Sequence, residues 1–169
     1  MILHSSGTKG KDALSNHLNF GVFYPLQTFS FNKKIDFTKT PILIEGNSQK
    51  SLEKLKELCR ILEVEFEEVD SKKRLHYHLA ASFANNFTNH ILSLTDELVN
   101  KFKLEKKFFI PIANETFKKF QSNKSKESQT GPAVRNDVKT LKKHEEILKK
   151  SNYLNLYKII TKSIKKNDL

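Results

Sequence analysis

The chain has 169 residues, enough for one domain or two small ones, and 37% hydrophobic content with 13 Phe implies a folded core. A single cysteine, Cys59, excludes an internal disulfide framework and suits a reducing, cytoplasmic setting, and with no apolar run of about 18 residues and no basic, apolar leader, neither a membrane span nor a signal peptide is expected. The net charge of +11 lies entirely in the last part, since residues 1–100 carry 12 basic and 12 acidic side chains while residues 101–169 carry 18 and 7.

Short apolar runs bounded by turn residues at Ile2–His4, Phe20–Phe23 and Ile42–Ile44 predict strands, as does the alternation of Val64–Val69. Between the last two, Leu52, Leu55, Cys59 and Leu62 recur at helical spacing after the start signal Gly46-Asn47-Ser48. Strand, helix and strand with short links predict a parallel crossover unit. From Lys72 the pattern is helical: Leu75, Leu79, Phe83, Phe87, Ile91, Leu94, Leu98 and Phe102 form one apolar stripe, implying a helix of about 28 residues.

A helical region over Glu105–Phe120 contains Pro111, expected to break or kink it. Gln121–Thr130 reads as a polar loop, followed by helices over Pro132–Lys150 and Tyr153–Lys166. The fold class is therefore α/β followed by all-α, with an α/β region at 1–70 and a helical region at 71–169. The lysines of the basic part are spread around their helices with few interleaved aromatics. That favours a solvated surface over a nucleic-acid footprint.

Two stretches stand out chemically. Thr130-Gly131-Pro132-Ala133-Val134-Arg135-Asn136-Asp137 holds one of three arginines among 27 lysines. With Gly131 as N-cap and Pro132 at the first helical position, the Arg135 guanidinium would share an anion pocket with free backbone N–H groups, and Asp137 would fix Arg135. The long helix carries a polar face, in which His78, Ser82, Asn85 and Asn89 share one surface, with Asn86 and His90 alongside. Asn and Ser are poor helix formers, which suits a cleft wall. His76 and His78 point apart on a helix and no carboxylate or Cys cluster joins them, so no metal site is expected. Ser5 and Ser6 lack the elbow motif of a hydrolase.

Read together, Leu3-His4-Ser5-Ser6-Gly7, Tyr24-Pro25-Leu26-Gln27-Thr28-Phe29, His78-Leu79-Ala80-Ala81 with Ala84-Asn85-Asn86, and Thr130-Gly131-Pro132 with Arg135 and Asp137 resemble a family of Rossmann-like oxidoreductases. That family joins an N-terminal nucleotide-binding domain to a helical domain of the 6-phosphogluconate dehydrogenase type, and is distantly related to pyrroline-5-carboxylate reductase and the β-hydroxyacid dehydrogenases. The match runs through nearly the whole chain. Three departures accompany it: Tyr24 stands where the family usually has His, no Gly-x-Gly-x-x-Gly occurs, and the long helix has no Lys between Lys73 and Lys101 where related dehydrogenases carry a catalytic one.

The resemblance implies the back portion of such a protein, a partial Rossmann-like parallel sheet plus the helical domain. It implies NAD(P) for the complete protein, near His4, Ser5, Ser6 and Gly7, and a homodimer through the helical domain. A small acidic ligand would be bound by Tyr24, Gln27, Thr28, Asn85, Asn86, Thr130, Gly131, Arg135 and Asp137, with His78 as the proton-transferring residue. A non-enzymatic helical interaction module and a basic nucleic-acid binder are the alternatives.

Overall fold

The computed structural model describes residues 1–29, 34–122 and 125–166, the Lys166 side chain excepted. The chain packs as two compact units, Met1–Phe102 and Lys103–Leu169. The packing thus divides it at 102/103, whereas the change of sequence pattern falls at 70/71.

The first unit is built on a four-stranded sheet, β1 (Ile2–His4), β2 (Phe20–Pro25), β3 (Ile42–Gly46) and β4 (Phe66–Glu68), in the order β1-β2-β3-β4. β1 and β2 are parallel, as are β3 and β4, the latter joined through α1 (Gln49–Ile61) as the crossover pattern predicts. The expectation of a parallel sheet throughout is corrected at its centre. β2 and β3 are antiparallel, with Pro25 opposite Ile42. The chain turns back at the end where β2 stops, and Leu26 N–H donates to Pro41 C=O at 2.8 Å to close that end of the ladder.

Alternation along the strands gives the sheet two different faces. Phe23 and Leu3 pack with Ile42 and Ile44 against Leu52, Leu55 and Cys59 of α1 and against Val64, forming the main core. Ser48 starts α1 as a side-chain cap, accepting from Ser51 N–H at 3.2 Å. The other face carries His4, Val22 and Glu45 in one row and Tyr24 and Leu43 in the next. This second face builds the site.

The predicted long helix is α2 (Ser71–Ala81), a wider π turn (Ser82–Phe87) and α3 (Thr88–Lys101). Asp70 caps its start, accepting from Lys73 N–H at 2.6 Å. The π turn falls where Asn85 and Asn86 weaken helix propensity, and Thr88 Oγ1 donates to Phe83 C=O five residues back at 3.0 Å. Leu79, Phe83 and Phe87 of the apolar stripe stay exposed.

In the second unit Pro111 lies in the first turn of α4 (Ile110–Gln121). It starts that helix rather than breaking the region, because a first-turn N–H has no intrahelical partner to lose. The next helix also begins later than the Gly-Pro signal predicts. Residues 132–135 make one helical turn that ends at Asn136, whose φ of 51° is left-handed. Asp137 N–H donates to Pro132 C=O at 2.9 Å and Asn136 N–H to Ala133 C=O at 3.2 Å, the double closure of a Schellman end. Only then does α5 (Val138–Leu148) begin, and α6 (Leu154–Lys166) packs back on it through His144 Nδ1 and Tyr157 Oη, 2.9 Å apart. Among the described residues of this unit the buried apolar ones are Ala133, Leu141 and Leu148. Positions 123 and 124 of the expected polar loop lie outside the described residues.

Candidate functional site

β1 delivers the chain into a tight loop at residues 5–10. Its geometry is set by two side chains. His4 Nδ1 accepts from Ser6 N–H at 3.2 Å, which leaves the proton on Nε2, 3.2 Å from Gly10 C=O as its donor. Ser6 Oγ accepts from the N–H groups of Thr8 at 3.2 Å and Lys9 at 3.0 Å. Ser6 is therefore a loop brace, and the amides of Ser6, Thr8 and Lys9 are spent within the loop. Ser5 is exposed beside it.

At the turn of that loop Gly7 is buried against the rings of His78 from α2 and Tyr24 from β2. A Cβ on Gly7 would lie 2.7 Å from His78 Nδ1 and 3.0 Å from Tyr24 Cζ, closer than ordinary packing allows. Tyr24 Oη lies 3.1 Å from His78 Nδ1, and the rings meet edge to face at 6.2 Å between centroids. Burial pushes the Tyr24 phenol pKa up. Three motifs far apart in sequence thus meet at one spot on the second face of the sheet.

One turn before His78 along α2 lies a group that sequence reasoning missed. The Arg74 side chain is 0% exposed and pairs with Glu45, which is 5% exposed. Arg74 also donates to Lys9 C=O at 2.6 Å and to Ser71 Oγ at 3.2 Å, while Glu45 accepts from Ser71 Oγ at 2.8 Å and Lys11 Nζ at 3.1 Å. Burial alone would raise the Glu45 carboxyl; hydrogen bonds from Arg74, Ser71 and Lys11 outweigh it and hold the pKa below the usual carboxylate range. The Arg74–Lys9 bond ties the β1 loop to α2. The signal that could have found Arg74 is the scarcity of Arg, the argument applied instead to Arg135.

Gln27 and Thr28 follow β2 and are exposed, with Gln27 Oε1 accepting from Thr28 N–H at 2.8 Å. Asn85 and Asn86 are exposed on the π turn and bonded to each other at 3.0 Å. Thr130, Gly131, Arg135 and Asp137 belong to the second unit. Gly131 has a φ of 107° and serves the turn rather than capping a helix, and Arg135 is exposed. Asp137 is itself the cap of α5, accepting from Thr140 N–H at 3.0 Å and Thr140 Oγ1 at 2.7 Å. Those bonds hold its carboxyl below the usual range, and Arg135 adds a weaker pull. Among the described residues no three of His, Cys, Asp and Glu gather to hold a metal ion, and no helix is long and apolar enough to cross a membrane.

Comparison with known proteins fits this architecture. The model of a family described as a domain of unknown function, DUF2520, matches residues 40–164. The crystal structure of a Bacteroides fragilis protein described as a "putative NADP oxidoreductase" is 34% identical, with a TM-score of 0.90 over 98% of this chain; the chain spans 65% of that protein's length. A Thermotoga maritima protein shares the fold at 22% identity, with a TM-score of 0.75 over 97% of this chain and 67% of its own. No curated protein matches. The chain belongs to the DUF2520 family.

Proposed function

We propose that this DUF2520 chain is the C-terminal substrate-binding and dimerisation portion of an NADP-dependent oxidoreductase, joining a partial Rossmann-like sheet to a helical domain of the 6-phosphogluconate dehydrogenase type. The convergence of Gly7, Tyr24 and His78 carries this reading, because it puts a titratable ring with a polar partner at the end of two parallel strands, where open α/β sheets bind ligands. The description of the Bacteroides fragilis neighbour supports the oxidoreductase class. A small acidic ligand of the first unit would be oriented by Asn85, Asn86 and Gln27, with His78 exchanging a proton with it, and Arg135 is the anion-binding candidate of the second unit.

The residues present do not fit the pyrophosphate of a dinucleotide. The sequence has no Gly-x-Gly-x-x-Gly, and the β1 loop spends the amides of Ser6, Thr8 and Lys9 on its own side chains. We therefore expect calorimetric titration of the chain with NADP to give weak binding or none. A micromolar Kd would overturn this division of labour. In the same assay with a small dicarboxylate, Arg135→Lys should weaken binding by about 1–2 kcal/mol through loss of the bidentate fork. Binding equal to that of the parent chain would leave Arg135 with no part in anion binding.

We infer a second copy of the chain as partner. Leu79, Phe83 and Phe87 in the first unit and Ile112, Phe120 and Ile159 in the second are all exposed, and a second copy would take such apolar side chains out of water. Sedimentation as a monomer at high concentration would refute it. The setting we infer is cytoplasmic, in keeping with Cys59, which is buried as a free thiol.

A further inference from the structure

We infer that Tyr24 is a positioning residue that sets the tautomer of His78, donating its phenolic proton to Nδ1 so that the ring carries its own proton on Nε2. The inference rests on the reading of His78 as the proton-exchanging group and specifies the atom through which exchange runs. Its basis is the 3.1 Å approach of Tyr24 Oη to His78 Nδ1 and the edge-to-face arrangement of the rings at 64°.

The direction of that bond follows from the two groups. An imidazole nitrogen with a free lone pair is a better acceptor than a phenol oxygen, and the phenolic O–H can rotate to meet it. Burial pushes the Tyr24 pKa up, so the phenol keeps the proton it donates. Gly7 closes the same edge of the imidazole, where even a methyl group would lie 2.7 Å from Nδ1. No described residue hydrogen-bonds Nε2, so that nitrogen is the one left for a ligand. His4 follows the same logic nearby, with Nδ1 accepting from Ser6 N–H and Nε2 facing Gly10 C=O. Nδ1 of His78 is thereby committed to the protein and Nε2 to chemistry.

The test is a long-range proton–nitrogen NMR spectrum of the whole chain with 15N-labelled histidine, at neutral pH and without ligand. The parent chain should show His78 with Nδ1 unprotonated and shifted by a hydrogen bond, and Nε2 protonated. Tyr24→Phe should lose the hydrogen-bond shift at Nδ1, and Gly7→Ala should lose it as well by pushing the ring aside. A proton on Nδ1 in the parent, or an unchanged His78 signal in Tyr24→Phe, overturns the inference. If Tyr24→Phe does not fold, the parent spectrum and Gly7→Ala decide. Because no turnover is read, the tautomer can hold while catalysis by His78 fails, and the reverse.

Discussion

Arg74→Met is expected to destabilise the first unit by about 3–5 kcal/mol at neutral pH, because it strands the Glu45 carboxylate in a buried place with its strongest partner gone. Lys11 remains 3.1 Å away, but its side chain is 32% exposed and cannot replace a buried guanidinium. The pH dependence should change as well. In the parent, the folded Glu45 pKa lies below the unfolded one, so its stabilisation is complete above the unfolded value, about 4.3, and is lost as pH falls through the folded value. In the variant burial wins, the folded pKa rises above the unfolded one, and stability is instead lost as pH rises through it. The deficit should therefore narrow toward pH 4. Pairing the change with Glu45→Leu should recover much of the loss, since replacing both members of a buried ion pair with apolar groups is often neutral. Urea denaturation at both pH values decides: a loss under about 1 kcal/mol, or a double variant as unstable as the single one, would show that the buried Arg74–Glu45 pair contributes little to stability.

How far this network was legible in the sequence is instructive. Lys72-Lys73-Arg74 reads as a solvated charge run at a helix start, and nothing local shows that the third side chain turns inward to a glutamate at the end of β3. Long-range charge pairs have no period. What does have a period was read correctly: the spacing of Leu52, Leu55 and Cys59 after Ser48 gave α1 and its crossover to β4. The direction of β3 against β2 was not legible, because side-chain alternation is the same for parallel and antiparallel neighbours and depends on where the connecting chain turns. Gly131-Pro132 opens a single turn that Asn136 ends and not the helix expected from Pro132, and the left-handed φ of a non-glycine residue leaves little trace in composition. Gly7, Tyr24 and His78 each stood out in separate motifs. Their meeting depends on the parallel pairing of β1 with β2 and on the Arg74–Lys9 bond that holds the loop to α2.

His78→Gln is the second large effect expected, in catalysis rather than stability. In a protein uniting this chain with a nucleotide-binding domain, and followed by NADPH absorbance with small oxo and imino acids as candidate substrates, the substitution should lower kcat by about 10²–10⁴-fold, the usual contribution of one positioned acid or base. Gln is close to His in size and keeps hydrogen-bonding capacity beside Tyr24 and Gly7, so folding and ligand affinity should survive. The amide cannot gain or lose a proton at neutral pH, and that is the property removed. No Lys lies between Lys73 and Lys101 on the long helix, so no lysine there can take over. A fall in kcat with KM little changed would assign the loss to the transition state, whereas a rise in KM alone would mark His78 as a binding group. If His78→Gln turns over every accepted substrate at the parent rate, the Tyr24–His78 pair is packing, and the proton must come from another residue or from water.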